Sequence, residues 1–573
     1  MTDKTKDAFV EALLDRLSLD EKIGATLTLH CRGSVFHPIY EDAIRTHNVG
    51  GLRLDPSIRY QEDGLACDRG RGTHRVAPGS GNLKRFSLGN LRHLYKRYQD
   101  LAVGRPSGIP LHMAFDQEGE YSGDLKNGGG PVYPPPMGLA ASGDPSLCYE
   151  VARSIARVAR ACCANMIHSP CLDVNVDPTN PEINTRSYSD RPEVVAEYAA
   201  ESARGFRDGG VAATGKHFPG RGNSSVDAHE VIPIIETDRD TMWNVELLPY
   251  KALIERGLLP AIMTAHSVYP AFDADNVATL SPKILQDVLR EKLGFEGVIT
   301  SDAIGMNGIT LRDSVPVGTA KALAAGADMV LLRMSTPEPI TPYLPKVIAE
   351  VRRWVEDGKL RESDLDRKVA RILAMKYDLG LFGDTGWAED VDDVLRDERV
   401  LEAERRASTT DVFVLREEQG ALPLPRGARG LLIEQTFEPF LCPNDDRWPP
   451  AVLHDSLLRY SSELSYFELS PGGDDAERRE ALEAAAGHDL VIVTNWTRRS
   501  AGSILPLVRE LCTRVAGQVI LVANTPYEAF SVPAEAKTVI VHLGVTPRSV
   551  EVVGDVLFGG PRPDGRWPVD YRP

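Results

Sequence analysis

PEVVAEYAAESARGFRDGGVAATGKHF, residues 192–218, decides the fold. Its first part carries apolar residues at helical spacing and stops at Gly209-Gly210, as a helix carboxyl terminus does. Its second part is a short apolar run that ends on Lys216 and His217. The same alternation fills the first 380 or so residues. The runs VGGLRL (49–54), LHMAFD (111–116), MIHSPCLDV (166–174), AIMTAH (261–266), GVITSD (297–302) and ADMVLL (327–332) are separated by amphipathic segments such as PSLCYEVARSIARVARACCANM (145–166). Seven or eight such units predict an α/β fold built on a (β/α)8 TIM-type barrel, with reactive groups at the carboxyl ends of the strands. Asp116, Lys216 with His217, His266 and Asp302 each terminate an apolar run.

A helical segment at 361–379 closes this part, so the barrel is assigned to 1–380 and a linker to 381–400. A smaller α/β sandwich domain is expected over 401–573, with strands at TDVFVLR (410–416), GLLIEQ (430–435), DLVIVTN (489–495), QVILVAN (518–524) and KTVIVHL (537–543). Continuous apolar runs of this kind predict a parallel sheet covered on both faces.

The composition narrows the function classes. With 573 residues, 42% hydrophobic and 26% charged, the chain has the make-up of a two-domain globular protein. A net charge of −17 argues against a nucleic-acid or anionic-membrane partner. The locally basic DRGRGTHRVAPGSGNLKR (68–85) reads as a solvated insertion. The charged amino terminus lacks the apolar centre of a secretory signal, and no apolar run is long enough to span a bilayer, so a cytoplasmic location is expected. Eight cysteines without CxxC spacing point to reduced thiols; no metal site and no cofactor are implied.

The chemistry concentrates in KHFPGRGNSSVDAH (216–229). Residues two apart do not share a helix face, so Asp227 and His229 meet only in a loop, which Gly220, Gly222 and Asn223 favour. An Asp bonded to one imidazole nitrogen fixes the tautomer and leaves the other nitrogen to move a proton near neutral pH. A surface loop with a chance Asp and His is the competing account for DAH alone.

Taken in order, LSLDEKIG (17–24), FDQEG (115–119), NPEINTRSYSDRPEVVAEYA (180–199), GKHFPGRGNSSVDAHEVIP (215–233), MTAHSVYP (263–270) and GFEGVITSDAIGM (294–306) resemble glycoside hydrolase family 3. The branch they resemble is that of β-N-acetylglucosaminidases with an Asp-His acid/base pair. The resemblance implies that Asp302 is a nucleophile forming a glycosyl-enzyme with net retention. It implies that His229 is the acid/base, oriented by Asp227. Asp116, Arg186, Lys216 and His217 match the residues that bind the sugar, and Lys216 and Arg186 are expected to keep Asp302 ionised. The implied partner is a carbohydrate, an N-acetylglucosaminide cleaved from its non-reducing end.

Three departures bear on that reading. Relatives carry EGG followed by an arginine where this chain has Glu118-Gly119-Glu120 and Asp124. HFPGHGD is replaced by HFPGRGN, and insertions occupy 60–85 and 123–136. Arg221 opens a second reading as a site for an acceptor or inorganic phosphate, that is, phosphorolysis. The same departures also fit a glycosidase for another sugar or a non-catalytic carbohydrate-binding relative.

Overall fold

The eight strands of the first domain are β1 (Leu27–Arg32), β2 (Gly51–Asp55), β3 (His112–Phe115), β4 (Met166–Ile167), β5 (Ala212–Phe218), β6 (Ala261–Thr264), β7 (Val298–Ser301) and β8 (Val330–Leu332). Every neighbouring pair from β1 to β7 is parallel and follows chain order, and β8 returns to pair with β1. A bridge between Thr300 and Met329 joins β7 to the start of β8 and closes the ring. This is the (β/α)8 barrel that the alternation predicts. The computed structural model describes residues 3–33, 35–56, 59–60, 66–67, 87–120, 122–228, 230–332, 343–383, 389–418, 420–436, 452–497 and 502–572. His229 and most of the 60–85 insertion lie outside the described residues.

Ala114, Met166, Ala212, Ala261, Val298 and Met329, one from each of six strands or their entries, form a buried layer with Ile372 and Met375. Alanines and methionines make up most of this layer and fill the narrow interior. The helix Glu362–Asp378 thereby plugs the amino-terminal end of the barrel, leaving the carboxyl end open for chemistry. Lys376 on the same helix is fully buried and donates to the carbonyls of Gly50 (2.8 Å) and Pro110 (2.7 Å).

Two barrel features depart from the periodicity reading. β1, LTLHCR, is a strand that the alternation did not single out, because Thr28 and His30 interrupt its apolar run. MIHSPCLDV keeps Met166–Ile167 as a strand and an isolated bridge from Cys171 to Lys216, and between them Pro170 lacks the N–H that a continuous central strand needs.

The second domain is a six-stranded sheet. Its strands are β9 (Val412–Glu417), β10 (Gly430–Gln435), β11 (Leu464–Leu469), β12 (Leu490–Asn495), β13 (Gln518–Ala523) and β14 (Thr538–His542), in the order β9-β14-β13-β12-β10-β11. Alternation sends Leu432, Ile492, Ile520 and Ile540 to one core and Leu431, Val491, Leu521 and Val541 to the other, so both faces are covered. The expectation of a wholly parallel sheet is corrected at one edge, where β9 runs antiparallel to β14. A right-handed crossover constrains the direction only of strands joined consecutively; β9 and β14 are the first and last strands, and no such crossover links them. The edge strand β11, LSYFEL, is half-exposed and lacks the continuous apolar run of its neighbours.

Within the stretch assigned to a linker, the helix Val391–Arg396 forms, and Glu398–Ala407 begins. Arg157 ties this segment to the barrel through Glu389 (2.9 Å) and Asp397 (2.7 Å). The two domains also meet near the barrel mouth, where Asn175 Nδ2 donates to Tyr527 OH (2.9 Å) and Thr525 Oγ1 to Asn184 Oδ1 (2.7 Å). Cys31, Cys148, Cys162, Cys163 and Cys171 are buried free thiols. No helix among the described residues is long and apolar enough to cross a membrane.

Candidate active site

β5 supplies the first two charged groups through a break in its register. Lys216 faces Met263 and Phe218 faces Thr264, so two steps on β5 match one on β6 and His217 is the extra residue. A regular strand sends consecutive side chains to opposite faces, whereas a bulge re-aims them. Lys216 and His217 both turn to the carboxyl end of the barrel, where Lys216 reaches Glu118 and His217 lies 3.4 Å from Arg186.

Asp116 and Glu118 follow β3 and share a ring of cations. Arg53 from β2 pairs with Asp116 and, at 3.0 Å, with Asp124. Lys216 Nζ bonds Glu118 and stands 3.7 Å from Asp116, while His168 Nδ1 donates to Asp116 over 3.1 Å. Arg186, carried by the turn Asn184–Arg186, donates to the second oxygen of Glu118. Burial alone would raise both acids. The charges of Arg53 and Lys216 outweigh it and hold Asp116 well below the usual carboxylate range. Those of Arg186 and Lys216 bring Glu118 down to about 2. Asp124, which shares Arg53, is instead raised to about 8 by burial and the charge of Asp116. The mouth therefore presents two ionised carboxylates, Asp116 and Glu118, with charged donors already in place, the arrangement that binds vicinal hydroxyls with bidentate geometry.

Asp173 organises the next layer. It accepts from His217 Nδ1 (2.7 Å), from the Cys171 thiol (3.1 Å) and from the backbone N–H of Arg221 (2.8 Å). With Nδ1 donating, His217 Nε2 is the acceptor for Arg186, so the neighbours select one tautomer. Ligand atoms of Cys171, Asp173 and His217 lie within 4.8 Å of one another, the spacing of a metal centre. Burial pushes the Cys171 thiol far above its usual range, and the charges of Arg186 and Arg221 act on Cys171 and Asp173. Asp173 accepts from both the thiol and His217 Nδ1, so the trio forms a hydrogen-bond relay that orients His217.

Asp302 follows β7 directly. Its backbone N–H donates to Thr264 O (3.2 Å) and its carboxylate accepts from Ala303 N–H (2.7 Å). Arg221 Nη1 stands 3.7 Å from Asp302, and Arg221 Nη2 bonds Glu182 at 2.9 Å. Ala228, between Asp227 and position 229, is fully buried in a cluster with Ala303, Met306 and Leu331. Asn307 Nδ2 donates to Glu230 O (3.3 Å). The loop on both sides of position 229 is thus fastened to the segment that follows Asp302. Asp227 itself is half-buried, and its carbonyl accepts from Glu230 and Val231 in a tight turn.

The structure brings Asp116, Arg186, Lys216 and His217 into one network, and sets Asp302 beside the turn that carries Asp227. Arg221, read as a site for an acceptor or phosphate, is buried between Glu182 and Asp302. The expected neighbours of Asp302, Lys216 and Arg186, are instead engaged by Asp116 and Glu118. Sequence reasoning passed over Arg53, Glu118, His168, Asp173 and Glu182. A signal existed for each: an arginine inside an apolar run, an acid three residues after a strand, a His or Asp within SPCLDV and its approach, and an acid four residues before Arg186. His266 is fully buried between Thr279 (2.8 Å) and Ala303 O (3.1 Å), a packing position.

Comparison with known proteins places this geometry. The glycosyl hydrolase family 3 N-terminal domain matches residues 77–375. A β-hexosaminidase A of Pseudoalteromonas piscicida is 31% identical over 305 residues, 49% of this chain and 50% of that protein, so the chain matches about half the length of this relative. A β-N-acetylglucosaminidase/β-glucosidase of Cellulomonas fimi is 28% identical over 76% of this chain and 79% of its own. Among solved structures, a glycoside hydrolase family 3 β-N-acetylglucosaminidase from Paenibacillus superposes with a TM-score of 0.82 at 27% identity, over 96% of this chain and 99% of that one.

Proposed function

The chain belongs to glycosyl hydrolase family 3, and from that premise we propose that it is a retaining exo-β-glycosidase acting on terminal β-N-acetylglucosaminides. Asp302 attacks the anomeric carbon as the bond to the leaving oxygen breaks. His229, oriented by Asp227, gives that oxygen its proton. In the second step a water passes a proton to His229 and attacks the same carbon, releasing Asp302 and the sugar with its original configuration. Asp116, Arg186, Lys216 and His217 bind the ring hydroxyls, with Arg53 and Glu118 holding them in place. Arg53 takes up the charge role that the missing arginine after Glu118 leaves open.

The observation that carries this reading is the packing of Ala228 on Ala303, which ties the turn bearing Asp227 to the residue after Asp302. The names of the Paenibacillus and Cellulomonas fimi relatives support the substrate class. Turnover of an aryl N-acetyl-β-glucosaminide tests it. Asp302→Asn is expected to cut kcat on the order of 10^4-fold or more, since loss of a nucleophile removes the covalent route. An unchanged rate would sink the assignment. Product analysis in phosphate buffer separates the acceptors: free sugar is expected, and sugar 1-phosphate would replace hydrolysis with phosphorolysis. A strong preference for a sugar without the 2-acetamido group would keep the mechanism and change the substrate.

A further inference from the structure

We propose that Arg221 is a positioning residue for the Asp302 carboxylate, held at its post by Glu182, and that it sets the pH range in which Asp302 serves as a nucleophile. The proposal rests on the assignment of Asp302 above. Three observations carry it. Arg221 is about as enclosed as a side chain can be, at 2% exposure, and Glu182 is equally so. Its main chain is fixed on both sides: the N–H donates to Asp173 (2.8 Å), and its carbonyl and that of Gly222 accept from Asn180 Nδ2 (2.9 and 3.0 Å). A Cβ at Gly222 would lie 1.6 Å from Val174 O, so the turn presses on the loop after β4 and has no room to slide.

The guanidinium is then aimed. Nη2 forms an ion pair with Glu182 (2.9 Å), while Nε and Nη1, the latter 3.7 Å from Asp302 Oδ2, make no hydrogen bond among the described residues. A buried donor without a bond is costly, and a small swing of the Asp302 carboxylate brings it within reach. Asp302 is the more exposed partner, with 15% of its side chain accessible, and Oδ2 is the oxygen turned to Arg221 while Oδ1 accepts from Ala303 N–H (2.7 Å). The charged groups acting on Arg221 are Glu182, Asp302, Asp173 and Arg186, with Asp227 on the turn beside Asp302. One guanidinium therefore serves two acids. It keeps Asp302 ionised while Glu182 prevents it from closing fully on the carboxylate and blunting the nucleophile.

The pH dependence of kcat/KM for an aryl N-acetyl-β-glucosaminide decides the matter, because its acid limb reports ionisation of the free enzyme. Arg221→Met is expected to raise that limb by about one to three pH units, the effect of removing a neighbouring cation, and to lower kcat more than it changes KM. Arg221→Lys restores most of the limb. Glu182→Gln removes the acid that competes with Asp302 at closest range and shifts the limb down. A limb unmoved in Arg221→Met, or moved as far in Arg221→Lys, overturns the proposal. Should Arg221→Met not fold, Glu182→Gln decides alone, and a limb that stays or rises overturns it. Asp302→Asn separates the two claims. If it leaves turnover intact, the nucleophile assignment falls and takes this inference with it. If it abolishes turnover while the Arg221 variants behave like the parent, only the inference falls.

Discussion

One buried glutamate at the barrel mouth and one at the boundary with the second domain have opposite fates. Glu118 and Glu120 stand two residues apart, and both are buried. Glu118 turns to Lys216 and Arg186 and is driven down to about 2. Burial pushes Glu120 up to about 7, against the opposing pull of its own backbone, of Lys126 and of the backbone of Val545 in the second domain. Asp411, where the chain enters β9, is fully buried with no hydrogen bond to its carboxylate among the described residues. It too is raised well above the ordinary range by burial, with Glu120 adding to the effect. The lesson is that burial keeps an acid neutral unless cations outweigh it. Asp124 shares Arg53 with Asp116 and is still raised to about 8 by burial and the charge of Asp116, whereas the cations around Asp116 and Glu118 keep those two ionised.

Breaking the mouth should have the largest effect. Glu118→Gln leaves Lys216 and Arg186 without the anion they share, and loss of one partner from a buried ion pair costs roughly 3–5 kcal/mol. Denaturant unfolding at pH 7 is expected to show that loss, together with a collapse of sugar binding. The pH dependence has a definite sign. Because Glu118 is depressed, its contribution is present above its ordinary value near 4.5 and is lost as pH falls towards about 2. The variant should lack that acid limb.

The boundary gives the mirror image. Because Glu120 is raised, stability is full below about 4.5 and declines as the pH rises through about 7. Glu120→Gln should match the parent at pH 4.5 and exceed it at pH 8 by about 3 kcal/mol, the equivalent of the shift. Equal stabilities at pH 8 would mean that water or the Val545 backbone already accommodates the charge, and the contrast between the two acids would shrink accordingly.

The smallest effect sharpens the boundary without touching charge. Tyr527→Phe removes the hydroxyl that accepts from Asn175 on the loop after β4. A loss of about 1 kcal/mol is expected by calorimetry, the usual worth of one hydrogen bond. A larger fall, or a rise in KM, would show that the second domain holds that loop in place for sugar binding.

Much of the fold was legible because strand and helix periodicities are local. Gly209-Gly210 closing one helix, and Lys216 ending one strand, sufficed to suggest a βα unit, and repetition of that unit made the barrel. The strands that escaped notice, β1 and β11, carry polar residues whose partners lie far away in sequence: His30 bonds Asp55 (2.9 Å) across β1 and β2. The antiparallel β9 escaped for the related reason that pairing direction belongs to the partner strand. In the site, the residue types were visible at strand ends while their pairing was not. Arg221 stood out as a departure in a glycine-rich turn and as a candidate acceptor or phosphate site; its burial against Glu182 depends on a loop 39 residues upstream that no local pattern connects to it.

The order of strands and helices, the cluster of polar groups where strands end and the glycine turn after Phe218 were all determined by the chain itself, because each follows from steric and hydrophobic preferences acting within a few residues. Which cation serves which acid was decided only by the tertiary structure. Closing the barrel sets Arg53, Glu118, Arg186, Lys216 and Asp302 around one opening. At such separations the charges of neighbouring strands outweigh those of neighbours in sequence.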